Sequence, residues 1–378
     1  MNNTYIISTG KFLPNKAVHN NDIEKHLGLV GNKNSRAKNI VLRQNQIKTR
    51  YYAIDANGNI THTNAELAAQ AIYNALSYID LPVQNIELLS CGTSSPDQLL
   101  PSHASMVHGS LDNAPALEIA SLSGVCCSGI HALQYAYQSI KAGLKNNAIC
   151  TGSELASPSL SSKNFESEYN SLKEIDNNPI IAFEKDFLRF MLSDGAGAFM
   201  LSSTPNAHTI SLKIEWIESI SYAHTLPPCM FQGLDKEGDA FTSWKYMDAD
   251  DWLKKSVFSV KQDTRLLGEN IIKLSFDFAK KCFKKYDLET KNLDYFIPHL
   301  SSMYFYNKLQ ESHFSELGIP IEKWFINLPY VGNVGSASIY LALDELLHSG
   351  KLKAGNTILL YIPESGRFSY SFVYLRVV

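Results

Sequence analysis

Short apolar runs bounded by glycine, proline and polar clusters alternate along this chain with stretches in which apolar residues recur every three or four positions. The first pattern reads as buried strand and the second as amphipathic helix. The most regular stretch is 121–143, SLSGVCCSGIHALQYAYQSIKAG. Ile130, Leu133, Ala136, Tyr137 and Ile140 fall on one helical face, and Gly143 supplies the stop. Upstream, 115–122 (PALEIASL) reads as a buried strand. Cys126 and Cys127 therefore sit on a tight strand-to-helix turn. Unpaired N–H groups and the helix dipole favour negative charge there, and a thiolate is such a charge. The bland alternative is a pair of small core side chains packing the helix.

The same patterning predicts strands over 5–8, 86–90, 148–154 and 209–220, and helices over 21–27 and 65–75, the latter capped by Thr63 or Asn64. Residues 28–43 read as a polar surface excursion, and 157–179 as a Ser- and Asn-rich loop or lid. SDGAGAFMLSS (193–203) turns on glycine into a strand, with Asp194 fixing the turn. Residues 221–255 are irregular and aromatic, with Trp244 and Trp252; so long a connection is usually functional or mobile. A helix over 266–285 follows, then a strand over 295–299 that ends on His299. A short strand over 324–328, a helix over 336–347 and strands over 357–362 and 370–377 complete the pattern, the last two joined by PESGRF.

Laid side by side, the halves repeat. IELLSCGTSS, a helix, a strand, VCCSG, a helix ending in KAG and AICTG match LDYFIPHLSS, a helix, WFINL, VGNVGSAS, a helix, LKAG and TILLY. This predicts an α/β protein of two similar halves, 1–205 and 206–378, about a pseudo-twofold axis. Cys127 and Asn333 then occupy equivalent turns facing one cleft.

With 378 residues, 45% hydrophobic and 19% charged, the chain suits a large globular core. A net charge of −3 gives no reason to expect nucleic acid or an anionic membrane as partner. The six cysteines show neither CxxC spacing nor a disulfide framework, so no metal site is expected. Without a signal-peptide pattern or a long apolar run, a reduced cytoplasmic protein is expected.

Several motifs in order resemble the β-ketoacyl-acyl-carrier-protein synthase III family of thiolase-fold condensing enzymes. TGKFLPNKAVHNNDIE resembles that family's opening segment, NQIKTRYYA its T-G-I-x-x-R segment and SDGAGAFML its G-D-G-A-G-A strand entry. CCSGI resembles the C-[AS]-G-F nucleophile motif in the register of Cys127, IPHLSS the V-P-H-Q-A-N segment, and GNVGSASI the G-N-T-S-A-A-S segment. The resemblance implies a thiolase fold of duplicated β-α-β-α-β halves in a layered αβαβα arrangement. It implies a catalytic Cys127, His299 and Asn333, and an oxyanion hole from the backbone N–H groups of Cys127 and Gly366. Phe368 is a candidate for the substrate pocket; His131 reads as structural. The chemistry is coherent: a nucleophile holds one acyl group as a thioester. A neutral imidazole and a carboxamide donate to the enolate oxygen of the second. No cofactor is implied beyond substrates carried on acyl carrier protein or coenzyme A, and a homodimer is expected.

Departures narrow the reading. No tryptophan occurs in 28–43, where the family stacks coenzyme A, which favours carrier-protein substrates. The family's G-G-G-F-T-W-G turn stands here as E-S-G-R-F-S-Y-S, altering the acyl pocket and oxyanion turn. With GNKNSRAKNIVLRQNQIKTRYYA, that turn resembles the dialkylresorcinol and flexirubin ketosynthases, which join two acyl chains and close a cyclohexanedione ring. An acyltransferase passing the acyl group to a hydroxyl or amine, and a fatty-acid-initiating synthase III, are alternatives on the same fold. A papain-like protease lacks its C-G-S-C-W-type signature here, and an inactive partner subunit should lack a triad residue.

Overall fold

In the computed structural model, which describes residues 2–35, 37–173, 187–238, 240–311 and 316–378, a nine-stranded sheet carries the architecture. Its strands are β1 (Tyr5–Phe12), β2 (Leu88–Thr93), β3 (Glu118–Ser123), β4 (Asn147–Glu154) and β5 (Gly195–Ser202) in the first half. The second half supplies β6 (Leu212–Ser221), β7 (Tyr295–Pro298), β8 (Thr357–Glu364) and β9 (Ser369–Val377). The spatial order is β7-β8-β9-β6-β1-β5-β4-β2-β3.

That order contains the repeat. From its outer edge the first half runs β3-β2-β4-β5-β1, the first pairings parallel and the last two antiparallel. From the other edge the second half runs β7-β8-β9-β6 with the same directions. The counterpart of β3 is reduced to one parallel bridge, Phe296 to Trp324, so the strand expected over 324–328 does not form. Pro329 follows, and Leu328–Val331 coils into a helical turn. The halves meet antiparallel at the start of β1, where Tyr5 and Ile6 face Lys213 and Leu212.

Apolar clusters define the layers. Helix α1 (Asn64–Leu76) covers the outer face of the first half. Its start carries the expected cap: Thr63 accepts from Glu66 N–H, and the Glu66 side chain returns the bond, a capping box. Helices α2 (Ser128–Lys141) and α4 (Ser338–Leu347) form the middle layer, buried against residues of both half-sheets. Helix α3 (Thr264–Lys285) covers the outer face of the second half through Leu267, Ile271, Phe278 and Phe283. This is the αβαβα thiolase arrangement.

Three local expectations change. The stretch read as a buried strand at 115–122 is β3, largely exposed, because it is an edge paired only to β2. The polar excursion 28–43 contains the start of a helix, Lys38–Asn45, anchored by Val41. The lid expected at 157–179 is short helical turns and the helix Glu166–Lys173; 174–179 lie outside the described residues.

Residues 221–263 form a small cap over the second half. It contains a two-stranded pairing of Leu234–Glu237 with Ala240–Ser243, followed by a cluster of Trp244, Trp252 and Phe258. The cap is tied to the β8–β9 turn, since Cys229 N–H donates to the Gly366 carbonyl at 2.9 Å.

Candidate active site

Glycine lets the two repeat-related turns touch. A Cβ on Gly129, in the first turn of α2, would lie 2.4 Å from the Ser336 carbonyl oxygen at the start of the Asn333 helix. A Cβ on Gly152 of β4 would lie 2.4 Å from the same oxygen. Tyr340 of α4 then donates its hydroxyl to the Gly129 carbonyl at 2.7 Å. The small-residue pattern around both turns thus sets the separation of the two helix N-termini.

Cys127 is the N-cap of α2, as expected, and fully buried. Its Sγ points toward the sheet, 3.5 Å from the Ile362 carbonyl and 3.6 Å from Ser371 Oγ. Cys126 is slightly more exposed, at 8% against 0% for Cys127. It lines a cavity of about 410 Å³ together with Asn333, Glu154 and Ser301. It also lines a narrow, mainly apolar cavity of about 40 Å³ together with His299, Ile271 and Phe305.

The N–H groups at this turn are not waiting for a thiolate. Oε2 of Glu364, the last residue of β8, accepts from Cys127 N–H at 2.9 Å and Val125 N–H at 3.1 Å. The Cys127 half of the expected oxyanion hole is therefore occupied by the protein's own carboxylate. Burial, followed by the charge of Glu364, pushes the Cys127 thiol well above its ordinary value. The expected thiolate-stabilising field is outweighed first by burial and then by the Glu364 carboxylate, which already sits at the helix N-terminus. Burial also raises Glu364, and the nearby Glu154 carboxylate adds to this. Glu154 is held by Ser94 Oγ, Ser95 Oγ and Ser336 N–H at 2.6, 2.6 and 3.1 Å.

His299 directly follows β7 and is 4% exposed. Its backbone N–H binds the Tyr361 carbonyl at 2.7 Å, while ring Nδ1 is buried and has no hydrogen-bond partner among the described residues. Burial lowers its pKa to about 4, so the imidazole is neutral near pH 7. Asn333 holds backbone bonds to Ser193 N–H and the Met191 carbonyl. Its Oδ1 accepts from Gly335 N–H at 3.0 Å, which leaves Nδ2 as the donor face on the cavity. The positive-φ positions of this turn belong to Gly332 (φ 78°) and Gly335 (φ 48°), so the asparagine is not there to supply a left-handed backbone.

The remaining expectations divide. Gly366 binds the cap through its carbonyl. Phe368 adopts φ 59° and buries its ring completely in the second-half core, away from both cavities. Asp194 ties Ala53, Ala156 and Ser157 N–H groups together at 2.7, 2.7 and 2.9 Å, joining three segments behind the site. Sequence reasoning missed Glu364 and Glu154. It also missed that the cap walls the larger cavity with Met230, Phe231 and Val260. The available signal was the glutamate in PESGRF, where the resembled family has glycine.

Comparison with known proteins adds independent findings. Residues 117–207 match the family model "Beta-ketoacyl synthase, N-terminal domain". Residues 283–366 match "3-Oxoacyl-[acyl-carrier-protein (ACP)] synthase III C terminal". A β-ketoacyl-[acyl-carrier-protein] synthase III of Clostridium perfringens is 26% identical over 367 residues, 95% of each chain. The tetronic acid condensing enzyme AbyA1 superposes with a TM-score of 0.75 at 19% identity, over 99% of each chain. The synthase III of Aquifex aeolicus gives 0.72 at 23% identity, and Xanthomonas campestris OleA with bound lauric acid and lauroyl-CoA gives 0.74 at 20%, each over 99% of both chains.

Proposed function

We propose that the chain, which is similar to the β-ketoacyl-acyl-carrier-protein synthase III-like condensing enzymes over two family-model segments and along most of its length, is a ketosynthase joining two acyl thioesters through an acyl group held on Cys127. The observation that carries the reading is the convergence of the thiol turn, a neutral imidazole and an oriented carboxamide on two adjoining cavities. In the first step Cys127 exchanges its thiol proton for the acyl group, and the departing carrier thiol takes up that proton. In the second, the enolate of the other thioester attacks the acyl carbon while His299 and Asn333 donate to its oxygen.

The substrates proposed are acyl chains on acyl carrier protein or coenzyme A, in a dialkylresorcinol- or flexirubin-type route, with cyclohexanedione formation as the finer assignment. The altered β8–β9 turn and the apolar cap wall support a specialised acyl pair. We place the division between halves at 205/206 and propose a homodimer through β3, whose outer edge is unpaired among the described residues and whose Ile119 is 36% exposed.

Cys126 is a second reading of the nucleophile, because it already faces both cavities whereas Cys127 must rotate away from Ile362 and Ser371. Incubation with octanoyl-N-acetylcysteamine, followed by intact mass and peptide mapping, separates the two. An adduct on Cys127 that disappears in Cys127→Ala is expected; one on Cys126 transfers the role. Product with an alcohol or amine in place of a new carbon–carbon bond makes the protein an acyltransferase.

A further inference from the structure

We propose that Glu364 is a catalytic base, and that this site makes its carbon–carbon bond by removing an α-proton from an uncharged acyl thioester rather than by decarboxylating a malonyl-type one. The inference rests on the ketosynthase reading and specifies its second substrate.

Three observations carry it. The Glu364 carboxylate occupies the Cys127 and Val125 N–H groups, directly behind the cavity wall formed by Val125, Cys126 and Ser365. A thioester on Cys127 needs the Cys127 N–H for its own carbonyl oxygen, so loading the acyl group displaces this carboxylate. Second, the other groups at the site are donors or already engaged. Neutral His299 and the Nδ2 of Asn333 suit the enolate oxygen, while Glu154 is held by Ser94, Ser95 and Ser336. Third, the only arginine or lysine among the described residues lining the larger cavity is Arg367, exposed, with its Nε on the Leu226 carbonyl. A second substrate carrying its own carboxylate would meet Glu154 and Glu364 in a buried site.

The order of events follows from the same contacts. While it accepts two N–H bonds, the Glu364 anion is stabilised and a poor base. Once the acyl group displaces it, those bonds are gone, and burial together with the nearby Glu154 charge favours proton uptake. The base is thus armed by acylation. It takes the α-proton; the C–H electron pair becomes the new bond to the acyl carbon of Cys127. The tetrahedral intermediate expels the Cys127 sulfur as thiolate, which recovers the proton from Glu364.

Glu364→Gln keeps the shape and an acceptor for both N–H groups but cannot act as a base. Octanoyl-N-acetylcysteamine in D2O, followed by mass spectrometry, reads acyl loading, α-deuterium incorporation and condensation separately. Wild type should load, exchange and condense; Glu364→Gln should still load while exchange and condensation fall about 10²–10⁴-fold. Glu364→Gly should show the same loss with recovery on adding formate, and carries the test if the Gln variant does not fold. Exchange and condensation at wild-type rates in either variant overturn the proposal. So does product formed only from malonyl-N-acetylcysteamine with release of CO2, which leaves the ketosynthase reading standing. If wild type forms no carbon–carbon bond from either thioester, the ketosynthase reading fails. Glu364-dependent exchange then still supports the base, and its absence overturns it.

Discussion

The Cys127 turn opens α2 in the first half and the Asn333 turn opens α4 in the second, at equivalent places in a repeated strand order. Each packs against the other through glycine, yet the two present different groups. The first offers a thiol and backbone N–H groups already closed on a carboxylate. The second offers, at a residue lining the cavity, a side-chain amide whose oxygen accepts from Gly335 N–H and whose nitrogen is the group left to donate. The repeat supplies two helix N-termini, and in the proposed reaction the residues at them divide the work into covalent holding and charge stabilisation. The first turn is closed at rest and the second is preformed.

The comparison can be broken at several strengths. Cys127→Ala should remove acyl loading and with it all condensation, by several orders of magnitude, measured by intact mass and product formation. An enzyme that still loads would move the holding role out of this turn's N-cap. Next in size, Gly129→Ala should disturb both turns at once. Its new Cβ meets the Ser336 carbonyl at 2.4 Å and the Tyr340 ring at 3.0 Å, atoms with little room to retreat. A loss of about 1–3 kcal/mol in urea unfolding is expected, together with slower loading and condensation. Gly109→Ala, with nothing within 4 Å of the added Cβ, is the control and should be close to neutral.

A pH titration sharpens the role of the second half. His299 and His103, both held at about 4 by burial against an ordinary 6.5, are neutral in the fold and take up protons on unfolding. The unfolded chain therefore binds more protons between about pH 6.5 and 4, and stability is lost as pH falls through that window. Buried Asp194, raised to about 6, together with Glu154 and Glu364, also raised, works in the opposite direction as pH falls, so the test is the difference: across this window the urea midpoint of wild type should fall relative to that of His299→Gln. Equal slopes would mean that His299 is already charged in the fold. The smallest expected effect on activity concerns assembly: light scattering at micromolar concentration should give a dimer, and a monomer would leave β3 without its proposed partner.

Much of this was legible in the sequence where local pattern and fold agree. The capping box at Thr63, the apolar face of α2 and the glycines of the Asn333 turn act over a few residues, so the chain displays them directly. The repeat was legible for the same reason, each half carrying the same succession of local signals. What escaped notice depends on distant segments. The strand at 115–122 reads as buried because its residues are apolar, and only its place at the sheet edge exposes it. Phe368 lies in the motif region yet turns its ring into the core through a left-handed backbone. Glu364 is 237 residues from the N–H group it occupies, a contact no spacing rule reveals. The aromatic stretch of 221–255 signals a cap, but its role as cavity wall needs the β8–β9 turn beneath it.

The division of labour between the two turns is tested most directly by single-turnover chemistry on Asn333→Ala. After addition of one acyl thioester and then the second substrate, intact mass should show stoichiometric loading of Cys127. The rate of carbon–carbon bond formation should fall by about 10²–10³-fold, as expected for loss of one donor to a developing oxyanion. Condensation at the wild-type rate would contradict the account, because Asn333 would then be a turn residue and the second half would contribute no charge stabilisation of its own.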